Sequence, residues 1–204
     1  EMCGNGVRCF ARYLFNRGLM GESVTVDTLA GIKKVVSSRM ADESQAFRVD
    51  MGAPRLDAAD IPIEGYQGRV ISQPIVVDGA SFLITCVSMG NPHCVIFLGE
   101  EDIPLEAVPL EMLGPSIETH PAFPRKTNVE FIKILNDHEI NFRVWERGAG
   151  ITLACGTGAC ASVVAGVLNG VVGRRTTVHL PGGDLFIEWP EGGNVFMTGP
   201  AEEV

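Results

Sequence analysis

No apolar run in these 204 residues approaches the ~20 that a membrane-spanning helix needs, so no membrane partner is expected. Lysine and arginine form no tight cluster, and the formal net charge is −9. A protein that holds nucleic acid through its phosphates needs a basic stripe, so that partner is excluded too. The six cysteines, Cys3, Cys9, Cys86, Cys94, Cys155 and Cys160, are too sparse for a disulfide scaffold. None forms a C-x-x-C pair of the kind zinc ribbons use, and their spacings with His93 or His179 fit no standard ligand set. Low-complexity tracts and obvious linkers are missing as well. What remains is a globular composition, 46% hydrophobic and 20% charged with 24 glycines, and thiols suited to a reducing, cytoplasmic compartment. The chain opens on Glu1 and not on methionine, so a targeting segment is not readable from it.

The chain repeats itself. Cys3-Gly4-Asn5-Gly6 aligns with Cys155-Gly156-Thr157-Gly158 at an offset of 152 residues. Without a gap, Gly18 falls on Gly170, Gly21 on Gly173, Thr25-Val26 on Thr177-Val178, and Gly31 on Gly183. Each Cys-Gly-x-Gly loop leads into an apolar-periodic stretch, residues 7–15 and 159–168, that predicts a helix stopped near a glycine. A short β-rich segment and a glycine turn follow in both copies. An offset this long implies two homologous halves and not a solenoid. Strands occupy the sequence ahead of Cys155 from about Ile75 onward, whereas two residues precede Cys3. The chain therefore reads as truncated at its N-terminus.

The rest is mostly β, with strands expected at 47–51, 70–77, 82–88, 95–98, 129–135, 140–145, 185–189 and 195–198. A short helix is expected at 109–114. The division read from this pattern is 1–44, a partial first domain with the first cysteine loop and helix; 45–192, a second domain with the second; and 193–204, a segment returning to the first.

A cysteine at a helix start has its thiolate favoured by unpaired N–H groups and by the positive end of the helix dipole. Flanking glycines let backbone amides approach an anion. One such loop is equally a phosphate cradle, a lone nucleophile or a tight turn with a buried thiol. Two of them on related halves suit a different task. Inverting a stereocentre needs a base on one face of the carbon and an acid on the other, which two equivalent thiols supply. Both helix starts can then hold the α-carboxylate and the charge that develops when Cα–H is broken.

Five motifs carry a resemblance: Glu1-Met2-Cys3-Gly4-Asn5-Gly6-Val7-Arg8-Cys9, Met89-Gly90-Asn91-Pro92-His93, Thr127-Asn128-Val129-Glu130-Phe131, Trp145-Glu146-Arg147-Gly148 and Ala154-Cys155-Gly156-Thr157-Gly158. In this order they resemble the diaminopimelate epimerase family, within the superfamily that also holds proline racemases and phenazine-biosynthesis isomerases. The resemblance implies an α/β (α+β) fold of two pseudo-symmetric domains, each a β-barrel-like sheet around a central helix, the first incomplete here. It implies interconversion of LL- and meso-diaminopimelate, on the route to lysine, without pyridoxal phosphate, metal or other cofactor, and it points to a homodimer.

By the motif matches, Cys3 and Cys155 are the acid/base pair. Gly4, Asn5, Gly156 and Thr157 offer backbone N–H groups to the reacting end. Asn91, Asn128 and Arg147 grip the distal amino-acid end; Glu146 touches substrate and, with His93, tunes the thiols. Arginine pairs bidentately with a carboxylate and asparagine both donates and accepts, which suits a substrate with a second ammonium and carboxylate. The family's opening segment and its last turn are missing from this chain. Proline, hydroxyproline or histidine racemisation on the same scaffold, or a catalytically inactive fragment, is the alternative. Cys9 and Cys160 fall inside the helices and Cys86 and Cys94 in strands, so all four stay outside the expected site.

Overall fold

The repeat survives folding almost residue for residue. In the computed structural model, which describes residues 4–28, 31–40 and 42–202, helix α1 spans Gly4–Asn16 and helix α3 spans Gly156–Leu168. Hairpins follow each, β1 (Ser23–Thr28) with β2 (Gly31–Arg39) and β10 (Arg175–Leu180) with β11 (Gly183–Glu188). The helix ends match bond for bond. Gly18 and Gly170 take φ of +66° and +69°, the left-handed conformation that glycine enters without penalty. Leu19 N–H donates to Leu14 O at 2.9 Å and Val171 N–H to Gly166 O at 3.0 Å, the same carbonyl of each last turn.

The remaining strands are β3 (Gln45–Gly52), β4 (Gln73–Val77), β5 (Ala80–Ser88), β6 (Pro92–Leu98), β7 (Asn128–Asn136), β8 (Glu139–Glu146), β9 (Gly150–Ile151) and β12 (Val195–Pro200). Among the described residues they join one 12-stranded sheet in the order β1-β2-β3-β12-β11-β10-β8-β7-β6-β5-β4, with β9 on β8. Two of its pairings are parallel, β6 with β7 and β10 with β8. This is the mixed α/β class read from the sequence. The sheet runs unbroken past residue 44, where β2 and β3 pair antiparallel on either side of a turn.

The sheet curls around α3, whose residues from Gly156 to Gly166 are all buried. Small residues (Gly156, Gly158, Ala159, Ala161, Ala165, Gly166) let strands approach it on every side. Helix α1, its counterpart, buries only Gly4, Val7, Arg8 and Ala11 and leaves Phe10 and Tyr13 exposed. A second apolar cluster lies beyond, where helix α2 (Leu110–Glu118) covers β4 to β7.

Two expectations need correction. Strand β2, Gly-Ile-Lys-Lys-Val-Val-Ser-Ser-Arg, lacks a period-2 apolar pattern, and pairing on both edges forms it regardless. Helix α2 runs four residues past its expected end at Gly114. Pro115 lies inside it, since losing one N–H donor costs less here than losing Ile117 from the core. Gly114 serves another purpose, because a Cβ there would stand 2.4 Å from the Trp145 ring.

Candidate active site

Cys155 is the N-cap of α3, extended at φ −123° and ψ 105°, and its carbonyl takes the first helical bond from Ala159 N–H at 2.9 Å. The turn between β9 and α3 thus delivers a sulfur to the helix start. Gly4, first residue of α1, sits directly opposite: a Cβ added to Gly156 would stand 3.5 Å from Gly4 Cα. The two helix starts converge, and Met197 of β12 packs beside both. Arg8 ties them together. Its guanidinium donates to Pro200 O at 3.1 Å and to Asn5 Oδ1 at 3.2 Å, and Asn5 Nδ2 donates to Ala154 O at 3.2 Å.

A cavity of about 270 Å³ opens at this junction, just below the ~300–1,000 Å³ of drug-sized ligand sites. Gly4, Asn5, Cys155, Gly156 and Thr157 line it together with Asn91, Asn128, Glu146 and Arg147. Residues from five separated motifs thus share one cavity. Ala154 lines it too, a contact the sequence reading left out. Cys3 lies outside the described residues.

The distal end is built from β7, β8 and the turn after β8. Asn128 donates to Pro92 O at 2.8 Å and accepts from Arg147 N–H at 2.9 Å, so its amide braces β6 and the Glu146–Arg147 turn. The Arg147 guanidinium donates to Arg125 O at 2.9 Å. Glu146 accepts a short bond from the Thr152 hydroxyl. Glu118 of α2 secures this turn from behind, accepting from Trp145 Nε1 at 2.7 Å, Gly148 N–H at 3.1 Å and Lys126 Nζ at 3.3 Å.

His93 stands one layer back, fully buried in β6. Its Nδ1 lies 2.6 Å from Glu130 Oε1 and its Nε2 lies 3.1 Å from Asn91 Oδ1. Asn91 Nδ2 reaches Thr157 Oγ1 at 3.2 Å, and Thr157 Oγ1 lies 3.6 Å from Cys155 Sγ. Glu130 has no assigned place in the sequence reading, although a carboxylate between Val129 and Phe131, in the buried first half of its strand, is itself a signal.

Burial, with the Glu130 and Glu146 carboxylates close by, raises the Cys155 thiol far above its ordinary range. The Thr157 hydroxyl and Gly158 amide oppose this. A helix start favours a thiolate, yet here burial and like charge outweigh it and favour the protonated thiol. Cys160, one turn further in, is pushed to about 12 by burial alone as first cause. Cys86 and Cys94 are buried in the second apolar cluster and Cys9 is exposed.

The fold is shared with solved structures of racemases and epimerases. A probable proline racemase from Agrobacterium radiobacter K84 superposes with a TM-score of 0.65 at 17% identity, over 97% of this chain and 64% of that one. A hydroxyproline epimerase from Agrobacterium vitis gives 0.66 at 15%, with the same coverage. The sequence is more specific. Residues 1–56 and 85–204 match the family described as Diaminopimelate epimerase. Diaminopimelate epimerases from Pelotomaculum thermopropionicum and Moorella thermoacetica are 59% and 55% identical over all of this chain and 72% of their own length. The chain belongs to the diaminopimelate epimerase family, a family of isomerases.

Proposed function

We propose that this protein interconverts LL- and meso-diaminopimelate on the route to lysine, with Cys155 and Cys3 as acid and base on opposite faces of one Cα. The observation that carries the reading is the junction of the two repeated helix starts, with the Cys155 sulfur on its wall. Cys3 directly precedes Gly4 in sequence, as Cys155 precedes Gly156.

The chemistry follows from the geometry. First-turn N–H groups of α1 and α3 have no intrahelical acceptor, and each helix end carries roughly half a positive charge. Together they hold the α-carboxylate and take up charge as Cα–H breaks. Two-base inversion needs one thiol and one thiolate. The burial of Cys155 beside Glu130 and Glu146 gives it the thiol role in the resting site and leaves Cys3 the thiolate; reversing direction exchanges them. The same cavity offers Arg147 with Glu146, Asn91 and Asn128, charges of both signs for a distal ammonium and carboxylate. His93 and Glu146 adjust the sulfur through contact and charge.

The division at 1–44, 45–192 and 193–204 belongs to the same reading, supported by the matched helix–hairpin units. So do a homodimer and a cytoplasmic location. No described helix is long and apolar enough to cross a membrane, and the described cysteines are free.

Incubation with LL-diaminopimelate, read by chiral chromatography, tests the substrate. Accumulation of the meso form, with proline, hydroxyproline and histidine left unchanged, is the expected result. Racemisation of proline without action on diaminopimelate assigns the site to another amino acid.

A further inference from the structure

Glu130, third residue of β7, is buried with both carboxylate oxygens inside the protein. One, Oε1, meets His93 Nδ1 at 2.6 Å. The other, Oε2, has no hydrogen-bond partner among the described residues. An unpaired buried carboxylate oxygen costs stability, and a purely structural role for Glu130 does not explain its place in the buried part of the strand.

Its neighbours explain it. From Glu130 a continuous chain runs through His93, Asn91 and Thr157 to the Cys155 sulfur, with links of 2.6, 3.1, 3.2 and 3.6 Å. The direction of the links is fixed by chemistry. A carbonyl oxygen only accepts, so His93 Nε2 carries a proton for Asn91 Oδ1. Asn91 Nδ2 then donates to the Thr157 oxygen, and the Thr157 hydroxyl proton turns toward the sulfur when Cys155 is ionised. With Nε2–H committed, the contact between Nδ1 and Oε1 must also hold a proton. Burial raises the Glu130 carboxyl, His93 draws it down and Glu146 pushes it up, which keeps that proton in place between the pair. Gly158 makes room for the arrangement: a Cβ there would lie 2.8 Å from Glu130 Oε1 and 3.2 Å from Cys155 Sγ.

We propose that Glu130 is a positioning residue for Cys155, holding the proton on His93 that keeps the chain through Asn91 and Thr157 donating toward the sulfur. This rests on Cys155 as an acid/base residue. The chain stabilises the thiolate each time Cys155 releases its proton, and offsets the repulsion that the nearby Glu130 and Glu146 charges impose.

The test is the rate at which iodoacetamide alkylates Cys155, resolved by peptide mass spectrometry at one mildly alkaline pH. Glu130→Leu, which leaves Nδ1 without a partner, slows alkylation about tenfold, the worth of a hydrogen bond to a charged group. Glu130→Gln, whose amide still donates to Nδ1, restores the rate to within about threefold. If Glu130 acts only through its negative charge, both variants alkylate faster than the unmodified protein, and the proposal is overturned. A nitrogen-15 spectrum of the unmodified protein provides a second readout that needs no variant. The proposal expects a protonated His93 Nε2 and a strongly deshielded proton at Nδ1; a bare Nε2 contradicts it. Neither readout uses turnover. A protein that alkylates as expected but leaves diaminopimelate untouched loses the epimerase reading and keeps the chain.

Discussion

Gly4 and Gly156 meet start to start, with a Cβ on Gly156 only 3.5 Å from Gly4 Cα and 3.0 Å from Met197 Sδ. Two 13-residue helices can aim their N-termini at one spot because neither places a side chain there. Each end carries roughly half a positive charge, and convergence focuses both on a single anion.

Gly156→Ala therefore separates stability from activity. The backbone there needs no left-handed conformation, and the tip of Met197 is flexible, so thermal or urea unfolding should lose only about 1 kcal/mol. Turnover should fall about 100-fold, because moving a helix start by a fraction of an ångström misplaces the reacting carbon. Trimming the obstacle in a Gly156→Ala/Met197→Ala double variant should not restore it.

Glu118 makes the opposite kind of prediction. Burial alone would raise its carboxyl, but bonds from Trp145, Lys126 and Gly148 hold it below the usual range. It touches no part of the cavity, yet it anchors the turn that carries Glu146 and Arg147. Glu118→Ala should raise KM for diaminopimelate more than it lowers kcat, and should destabilise the fold by about 1–3 kcal/mol. A change in kcat alone would separate that turn from substrate binding.

Alkaline pH should unfold the protein early. Burial raises the thiols of Cys94, Cys155 and Cys160, the last to about 12. Unfolded thiols release protons near ~8.5 while these stay protonated, so above that pH the native state binds more protons and rising pH favours unfolding. Each thiol contributes a slope of about 1.4 kcal/mol per pH unit. Urea midpoints taken from neutral to alkaline pH should fall, and Cys160→Ala should fall less steeply. A flat profile would mean these thiols ionise in the folded state.

The repeat was the most legible feature of the sequence, because glycines at helix ends and turns act through the local backbone, and both copies use them alike. The cavity wall was legible for the same reason, since its motifs sit at strand ends and helix starts. What escaped depends on contacts across the fold. Strand β2 has its pairing fixed by neighbours on both sides, not by its own pattern. The length of α2 follows from Ile117 reaching the core past Pro115. Glu130 reaches the sulfur through three residues from two places in the chain, and only the oddity of a charge between Val129 and Phe131 hinted at it. The upward shift of the Cys155 thiol also escaped, because burial beside two carboxylates is invisible along the sequence.

Epimerisation of LL-diaminopimelate in deuterated water asks directly whether two thiols share the work at one carbon. Solvent deuterium should enter the inverted carbon of the product, with little in recovered substrate, and Cys155→Ala or Cys3→Ala should each lower inversion about 1,000-fold or more. Inversion without deuterium, or undiminished inversion by Cys155→Ala, would contradict the two-thiol mechanism.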